Sequence, residues 1–392
     1  KSKKKISKYF FDYIVLSPGI NKKKCNLKKF LYKNEKKIIT DLDIFYSFNH
    51  SNKIISITGT NGKSTTCKLL YDIFKYSGYN AQLGGNIGKP VLSLKETKKK
   101  KSIFIIELSS YQLDYTKYFR PNYAAILNIS FDHIERHKTI NKYIKSKINI
   151  FKFQKKNDIA YLNYENQYFN KIYKNFRDYL FKSKIKKLKL KNINKYITRI
   201  KNKYLLTKNN LENLLFVIEI SRQFRINVEK IIRVLNKFEG LPHRQEQIYL
   251  GKKFLCINDS KATSFEASIH SLNSYKNVFW ILGGMPKKMD KFKFNNLNKN
   301  IIKAYIISQY SDFFIQHIKK KINYAVCKNL PYAFSKLIKD LITFKKKNLN
   351  YTNITLLFSP AAASFDKFKN FEQRGDYFKK LFKLNKHKLI NV

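Results

Sequence analysis

The feature that most constrains this chain is the run Thr58-Gly59-Thr60-Asn61-Gly62-Lys63-Ser64-Thr65. It follows the apolar stretch Ile54–Ile57 and leads into Ser64–Tyr76, whose apolar residues have helical spacing. A strand, a glycine-bearing turn and a helix, in that order, make the setting a phosphate-binding loop needs. Gly59 and Gly62 let backbone N–H groups turn toward an anion, and the start of the helix adds partial positive charge. Thr60, Asn61 and Thr65 complete the cradle. Lys63 is expected to reach the terminal phosphates of a nucleotide, and the Ser64 hydroxyl to ligate Mg2+. Ile57 stands where the first glycine of the usual pattern would be. The chain is therefore read as a variant of that loop.

Around this loop, short runs rich in Ile, Val, Tyr and Phe alternate with longer helical patterns. Strands are expected at Tyr13–Leu16, Ile54–Thr58, Ile103–Leu108, Ala124–Asn128, Ile159–Leu162, Phe254–Asn258, Val278–Leu282, Ala304–Ile307 and Ile354–Phe358. Helices are expected at Ser64–Tyr76, Leu211–Gln223 and Val228–Phe238. The alternation implies an α/β fold with mostly parallel sheets. The Lys-rich segment Lys182–Lys203 reads as low-complexity surface with edge strands. A break falls at Gly240-Leu241-Pro242, where a helical pattern ends at a glycine and a proline follows.

Composition bounds the function. The chain is 43% hydrophobic and 15% aromatic, which excludes a disordered protein. No window approaches the roughly 18 uninterrupted apolar residues needed to span a bilayer, so no membrane insertion is expected. The basic start, Lys1–Lys8, is followed by no apolar run with a small-residue cleavage site. Cys25, Cys67, Cys256 and Cys327 lie far apart, with neither metal nor disulfide spacing, as suits a cytoplasmic chain. The net charge of +54 comes from 80 Lys and Arg against 26 Asp and Glu. Such a field attracts nucleic acid, but these lysines are spread along the chain, and no specific nucleic-acid partner is expected.

Three further positions suggest chemistry. Glu107 ends the strand Ile103–Ile106, and a carboxylate at such a strand end beside a phosphate loop suits Mg2+. Taken alone, it would equally be a solvated acid. His133, after Asp132, could ligate a metal through a neutral ring nitrogen. His137 has no support beyond its neighbourhood. By composition Lys147 is one lysine among many.

Together these residues resemble the central domain of the Mur ligase superfamily, which also includes the folylpolyglutamate synthetases. Five further strings narrow the resemblance to the members that add D-glutamate. They are Ser17-Pro18-Gly19-Ile20, Gly84-Gly85-Asn86-Ile87-Gly88, Gly240-Leu241-Pro242-His243-Arg244, Asn258-Asp259-Ser260-Lys261-Ala262-Thr263, and Ser359 through Asp366 with Phe371-Glu372-Gln373-Arg374-Gly375. The folylpolyglutamate synthetases share the loop and are expected to lack the last string.

The resemblance implies an ATP-dependent ligase that joins D-glutamate to UDP-N-acetylmuramoyl-L-alanine through an acyl phosphate, in peptidoglycan precursor synthesis. It implies residues 1–50 as the remnant of a uridine-binding domain, 51–240 as the ATP-binding domain, and 241–392 as a Rossmann-like domain for D-glutamate. Only about fifty residues precede the loop, so the sequence is expected to be incomplete at its N-terminus. Lys63 is implied to hold the γ-phosphate. Ser64 and Glu107 are implied to bind one Mg2+, and His133 and Lys147, the latter carbamylated, a second. Asn86 and Ser109 are implied to contact the muramoyl substrate, and Asn210 and Asn213 the adenine region, with Asn209 where the family has a histidine. Arg244 and Asp259 are implied to contact ATP, and Lys261 the γ-phosphate or acyl phosphate. Thr263, Lys287, Ser364 and Phe371 are implied to form the D-glutamate pocket. A monomer is expected.

Overall fold

The computed structural model describes residues 9–95, 101–130, 134–177, 182–202, 204–286, 290, 292, 297–347 and 353–390. The chain divides into two units, Lys1–Glu239 and Gly240–Val392.

The first unit opens with a small parallel pair, β1 (Ile14–Val15) and β2 (Ile38–Ile39). Leu16, Leu31 and Ile38 form its own apolar cluster. The helix Asp41–Asn49 follows and is capped at Thr40, whose backbone and side chain both bond to Asp43. The other oxygen of Asp43 accepts from the Thr116 hydroxyl and from the N–H groups of Lys117, Tyr118 and Phe119. One buried carboxylate thus ties the opening segment to the loop before the strand Tyr123–Ile126. Burying that charge is tolerable because its acceptor sites are filled.

Six strands then build the main sheet: β3 (Lys53–Thr58), β4 (Ala81–Gly85), β5 (Ile103–Glu107), β6 (Tyr123–Ile126), β7 (Ile159–Asn163) and β8 (Lys184–Leu188). Their order is β4-β5-β3-β6-β7-β8, and every pair is parallel. A parallel sheet is covered on both faces by its crossover helices, which is why β5 and β7 are buried along their whole length. The chain leaves β3 for one side of the sheet and later returns on the other. That reversal opens a crevice at the carboxyl end of β3, where such sheets bind ligands.

The second unit repeats the plan with β9 (Glu246–Leu250), β10 (Phe254–Asn258), β11 (Val278–Leu282), β12 (Ile301–Ile306), β13 (Tyr324–Val326) and β14 (Ile354–Phe358). The order is β13-β12-β11-β14-β10-β9, parallel except for β9 at the edge. One face is packed by the helices Leu330–Lys347 and Phe371–Ile390, the other by Phe265–Ser274 and Ser311–Ile318.

The α/β expectation and the nine expected strands are borne out, with ends shifted by up to three residues. β8 is an edge strand inside Lys182–Lys203, the segment read as surface with edge strands, though its bounds were not given; β2, β4, β9 and β13 escaped the pattern reading. β2 is two residues long. β4 carries two glycines, and β9 and β13 lie on edges where alternation is weak. Among the described residues no helix is long and apolar enough to cross a membrane.

Candidate active site

In the first unit, the loop after β3 is pinned to the strand beside it. The Thr60 N–H donates to Asn128 O at 3.0 Å and the Asn61 N–H to Asn128 Oδ1 at 2.9 Å. The Thr60 hydroxyl accepts from Ser130 N at 3.0 Å and lies 3.2 Å from the Tyr143 hydroxyl. The helix Lys63–Tyr76 starts from Gly62, which has a left-handed φ of 81°. A β-carbon at Gly62 would come within 1.9 Å of Asn213 Oδ1, so no other residue fits there without displacing that amide. Asn213 also donates to Asn210 Oδ1 at 3.0 Å, and Asn210 donates to Tyr204 O. The pair implied near the adenine thus forms one wall of the phosphate loop. The side chain of Asn209 is outside the described residues.

Lys63 bends back over the loop, donating to Gly59 O at 3.0 Å and Thr60 O at 2.8 Å. Its ammonium and the exposed start of the helix put positive charge where a phosphate would sit. Ser64 and Glu107 are both fully buried, and Thr65 is nearly so. Glu107 closes β5, the strand next to β3. Its Oε1 accepts from Asn86 Nδ2 at 2.8 Å. That contact depends on Gly85, because a β-carbon there would lie 2.3 Å from Glu107 O. Ser109 caps the short helix Ser110–Leu113 in a reciprocal box with Gln112.

Lys147 lies on the helix Ile140–Ile148 and is 1% exposed. Its Nζ donates to Gly59 O at 2.7 Å and lies 4.7 Å from the centre of the Tyr143 ring. Beside Lys63 of the loop itself, Lys147 thus reaches the loop from a helix more than eighty residues away. His133 is outside the described residues. Among the described residues no three His, Cys, Asp or Glu side chains gather as a metal cluster. The donors implied for a metal at the loop are the Ser64 hydroxyl and the Glu107 carboxylate. That sparse, hard-oxygen set fits Mg2+, which takes few protein ligands and completes its shell with phosphate oxygens and water.

In the second unit, the implied residues collect at the carboxyl ends of β10 and β14. Asp259 is buried and accepts from Ser271 Oγ at 2.5 Å, Ser359 Oγ at 3.1 Å and Gln245 N at 3.2 Å. Burial outweighs these bonds and the nearby Arg244, and pushes its carboxyl up to about 6. Lys261 Nζ lies 4.2 Å over the Phe371 ring, so residues implied for the phosphate and for the amino acid touch. Ser364 is buried, and Thr263 is half-buried in the loop after β10. Lys287 is outside the described residues.

Two residues quoted only as parts of strings turn out to hold this region together. Arg374 is 1% exposed and donates to Ser260 O at 2.7 Å, Ser260 Oγ at 3.1 Å and Ala362 O at 3.0 Å. Its burial lowers its pKa to about 10. His243 packs on Gly375, where a β-carbon would lie 2.2 Å from Nδ1. Their signal in the sequence was only their place inside long motifs. Tyr143 and Asn128 were not singled out, because an aromatic or an amide at a strand or helix position reads as ordinary packing.

Residues 57–228 match the family description "Mur ligase middle domain". The UDP-N-acetylmuramoylalanine--D-glutamate ligase of Rickettsia prowazekii (strain Madrid E) is 33% identical over 388 residues, covering 95% of this chain and 85% of that protein. Among solved structures, MurF from Acinetobacter baumannii matches with a TM-score of 0.60 at 13% identity, covering 86% of this chain and 79% of that one. MurF from Thermotoga maritima in complex with ADP matches with a TM-score of 0.58 at 15% identity, over 95% and 99%. The structures speak to the fold, and the sequence relative, at that identity over almost the whole chain, decides the family. The chain belongs to the D-glutamate ligase family of the Mur ligases.

Proposed function

We propose that this chain joins D-glutamate to UDP-N-acetylmuramoyl-L-alanine with cleavage of ATP. The observation that carries the reading is the convergence of Lys63, Ser64, Glu107 and Lys147 on one loop at the switch point of a parallel sheet. The alanyl carboxylate attacks the γ-phosphorus, the bond to ADP breaks, and an acyl phosphate forms. The neutral amine of D-glutamate then attacks the acyl carbon. An amide forms, phosphate leaves, and the amine gives up a proton.

The carboxylate, the polyphosphate and the transition state of the first step are all anionic, so positioning and positive charge supply most of the rate. The Gly59–Gly62 backbone and Lys63 hold the phosphates. Asn210 and Asn213 keep the loop in shape. Ser64 and Glu107 would hold Mg2+, which when bound neutralises phosphate charge. Lys147 would take part as a carbamate, formed when its neutral amine adds CO2 and loses a proton, so that a cation becomes an anion able to serve a metal. In the second unit Arg244, Asp259 and Lys261 would serve the nucleotide and acyl phosphate. Thr263, Ser364 and Phe371 would serve D-glutamate, with Lys287 as the cation for its carboxylates. Asn86 and Ser109 would face the muramoyl substrate.

The test is phosphate release from ATP with Mg2+, UDP-N-acetylmuramoyl-L-alanine and D-glutamate, omitting each in turn. Release that needs every component is expected. Equal release without D-glutamate would refute the ligase reading. For Lys147, bicarbonate depletion should lower activity, and Lys147→Ala should remove that sensitivity.

A further inference from the structure

The turn that leads into β9 holds two residues other than glycine in a left-handed backbone, His243 with φ 61° and Gln245 with φ 46°. Arg244 stands between them. That conformation presses the β-carbon of an L residue against a carbonyl. It lasts only where neighbouring bonds over-determine it. Here they do. The His243 N–H donates to Glu246 Oε2 at 2.9 Å, the Arg244 N–H to Leu241 O at 3.2 Å and the Gln245 N–H to Asp259 Oδ1 at 3.2 Å. Each of three consecutive N–H groups thus has an acceptor, and two of the acceptors are carboxylates. The His243 carbonyl in turn accepts from the Lys261 N–H at 3.0 Å.

Glu246 is itself fixed from two more sides. Its Oε2 also accepts from Asn258 Nδ2 at 3.0 Å, at the end of β10. Its Oε1 accepts from Lys379 Nζ at 3.2 Å, on the helix Phe371–Ile390. A carboxylate at the first residue of an edge strand is ordinarily left to solvent. This one joins the turn, the end of a central strand and a helix. Arg244, Asp259 and Lys261, the residues proposed for the nucleotide and the acyl phosphate, all bond into the same turn. Glu246 is the member that the reaction itself does not use.

We propose that Glu246 is a positioning residue for phosphoryl transfer: it clamps the left-handed turn, and through it sets the place of Arg244 and of the Lys261 backbone. This rests on the reading that Arg244 and Lys261 serve ATP and the acyl phosphate. Without the clamp the turn relaxes toward ordinary backbone angles and carries Arg244 with it. A shift of about 1 Å at such a group costs on the order of 10²-fold in rate.

The test has two readouts on the full chain. The first is amide hydrogen exchange over residues 241–247, which needs no turnover. Glu246→Ala should speed it by at least about tenfold, the loss of a bond to a charged group. Glu246→Gln keeps an oxygen that accepts from the His243 N–H and should stay within about threefold. The second is kinetic. Glu246→Ala should lower kcat/KM for ATP by at least about tenfold, Glu246→Gln by less than about threefold, and neither should move KM for D-glutamate by more than about threefold. Glu246→Asp draws the oxygen back from His243, should fall between the two, and carries the same test if Glu246→Ala does not fold. Combined with Arg244→Ala, the fold losses should multiply to less than their product, because the two changes share one route. Unchanged exchange in Glu246→Ala would overturn the clamp. A lowered unfolding temperature with unchanged ATP dependence would reduce Glu246 to a structural brace and overturn the positioning role. Arg244→Ala with unchanged ATP dependence would overturn the reading of Arg244 and this role together. A loss in Arg244→Ala but not in Glu246→Ala would overturn this role alone.

Discussion

Lys63 does two things. It caps its own loop through Gly59 O and Thr60 O, and it puts a cation beside the expected phosphates. Lys63→Ala is therefore expected to lower turnover by at least about 10²-fold, read as phosphate release, because a preorganised charge is lost at the reacting group. Asp259 makes a different prediction. Its carboxyl is raised from 3.8 to about 6. Between those values the folded chain holds a proton that the unfolded chain has released, so stability falls as pH rises through that window. The whole effect is about 3 kcal/mol, present below about pH 4 and lost above about pH 6. Urea unfolding at several pH values should show this slope, and Asp259→Asn should flatten it. An unchanged slope in the variant would mean that other groups carry it.

At the scale of elements, small residues set how closely segments approach. Gly375 lies in the first turns of the helix Phe371–Ile390, against His243. Its constraint is space alone, since a helical backbone suits any residue. Gly375→Ala is expected to destabilise the second unit by about 1–3 kcal/mol through overpacking. His243→Ala added to it should recover part of that loss, because the two changes share one contact. Simple additivity in thermal unfolding would show that the contact does not limit the packing. His243 itself has its pKa lowered by burial and stands 2.9 Å from Asn258, so its loss alone also removes a buried partner.

At the scale of the whole molecule, charge dominates. A net +54 on 392 residues means self-repulsion in the folded state, offset in part by ion pairs such as Arg120–Asp158 and Lys303–Asp340. Salt shortens the reach of that repulsion. The melting temperature is expected to rise by about 2–5 °C between 0.02 and 0.3 M NaCl, as about 1 kcal/mol would do in domains of this size. A fall over that range would show that specific surface pairs outweigh the mean field.

Much of the active site was legible because its chemistry is local. A phosphate loop needs a strand, glycines, a lysine and a helix within a dozen residues, and that order alone determined where Gly59–Thr65 would lie and that parallel α/β sheets would surround them. The nine readable strands were also local, each an apolar run bounded by turn residues. The bounds of the Lys-rich β8, and the glycine-bearing β4 as a whole, were not, because neighbouring strands, and not their own pattern, hold them in the sheet. Only the tertiary structure decided which of many lysines is buried at the loop, that Asn213 fills the space Gly62 leaves, and that Arg374 is a brace. Each of these rests on two segments far apart in sequence meeting at a few ångströms. Periodicity and composition carry no record of that distance, because it is set by how whole elements pack.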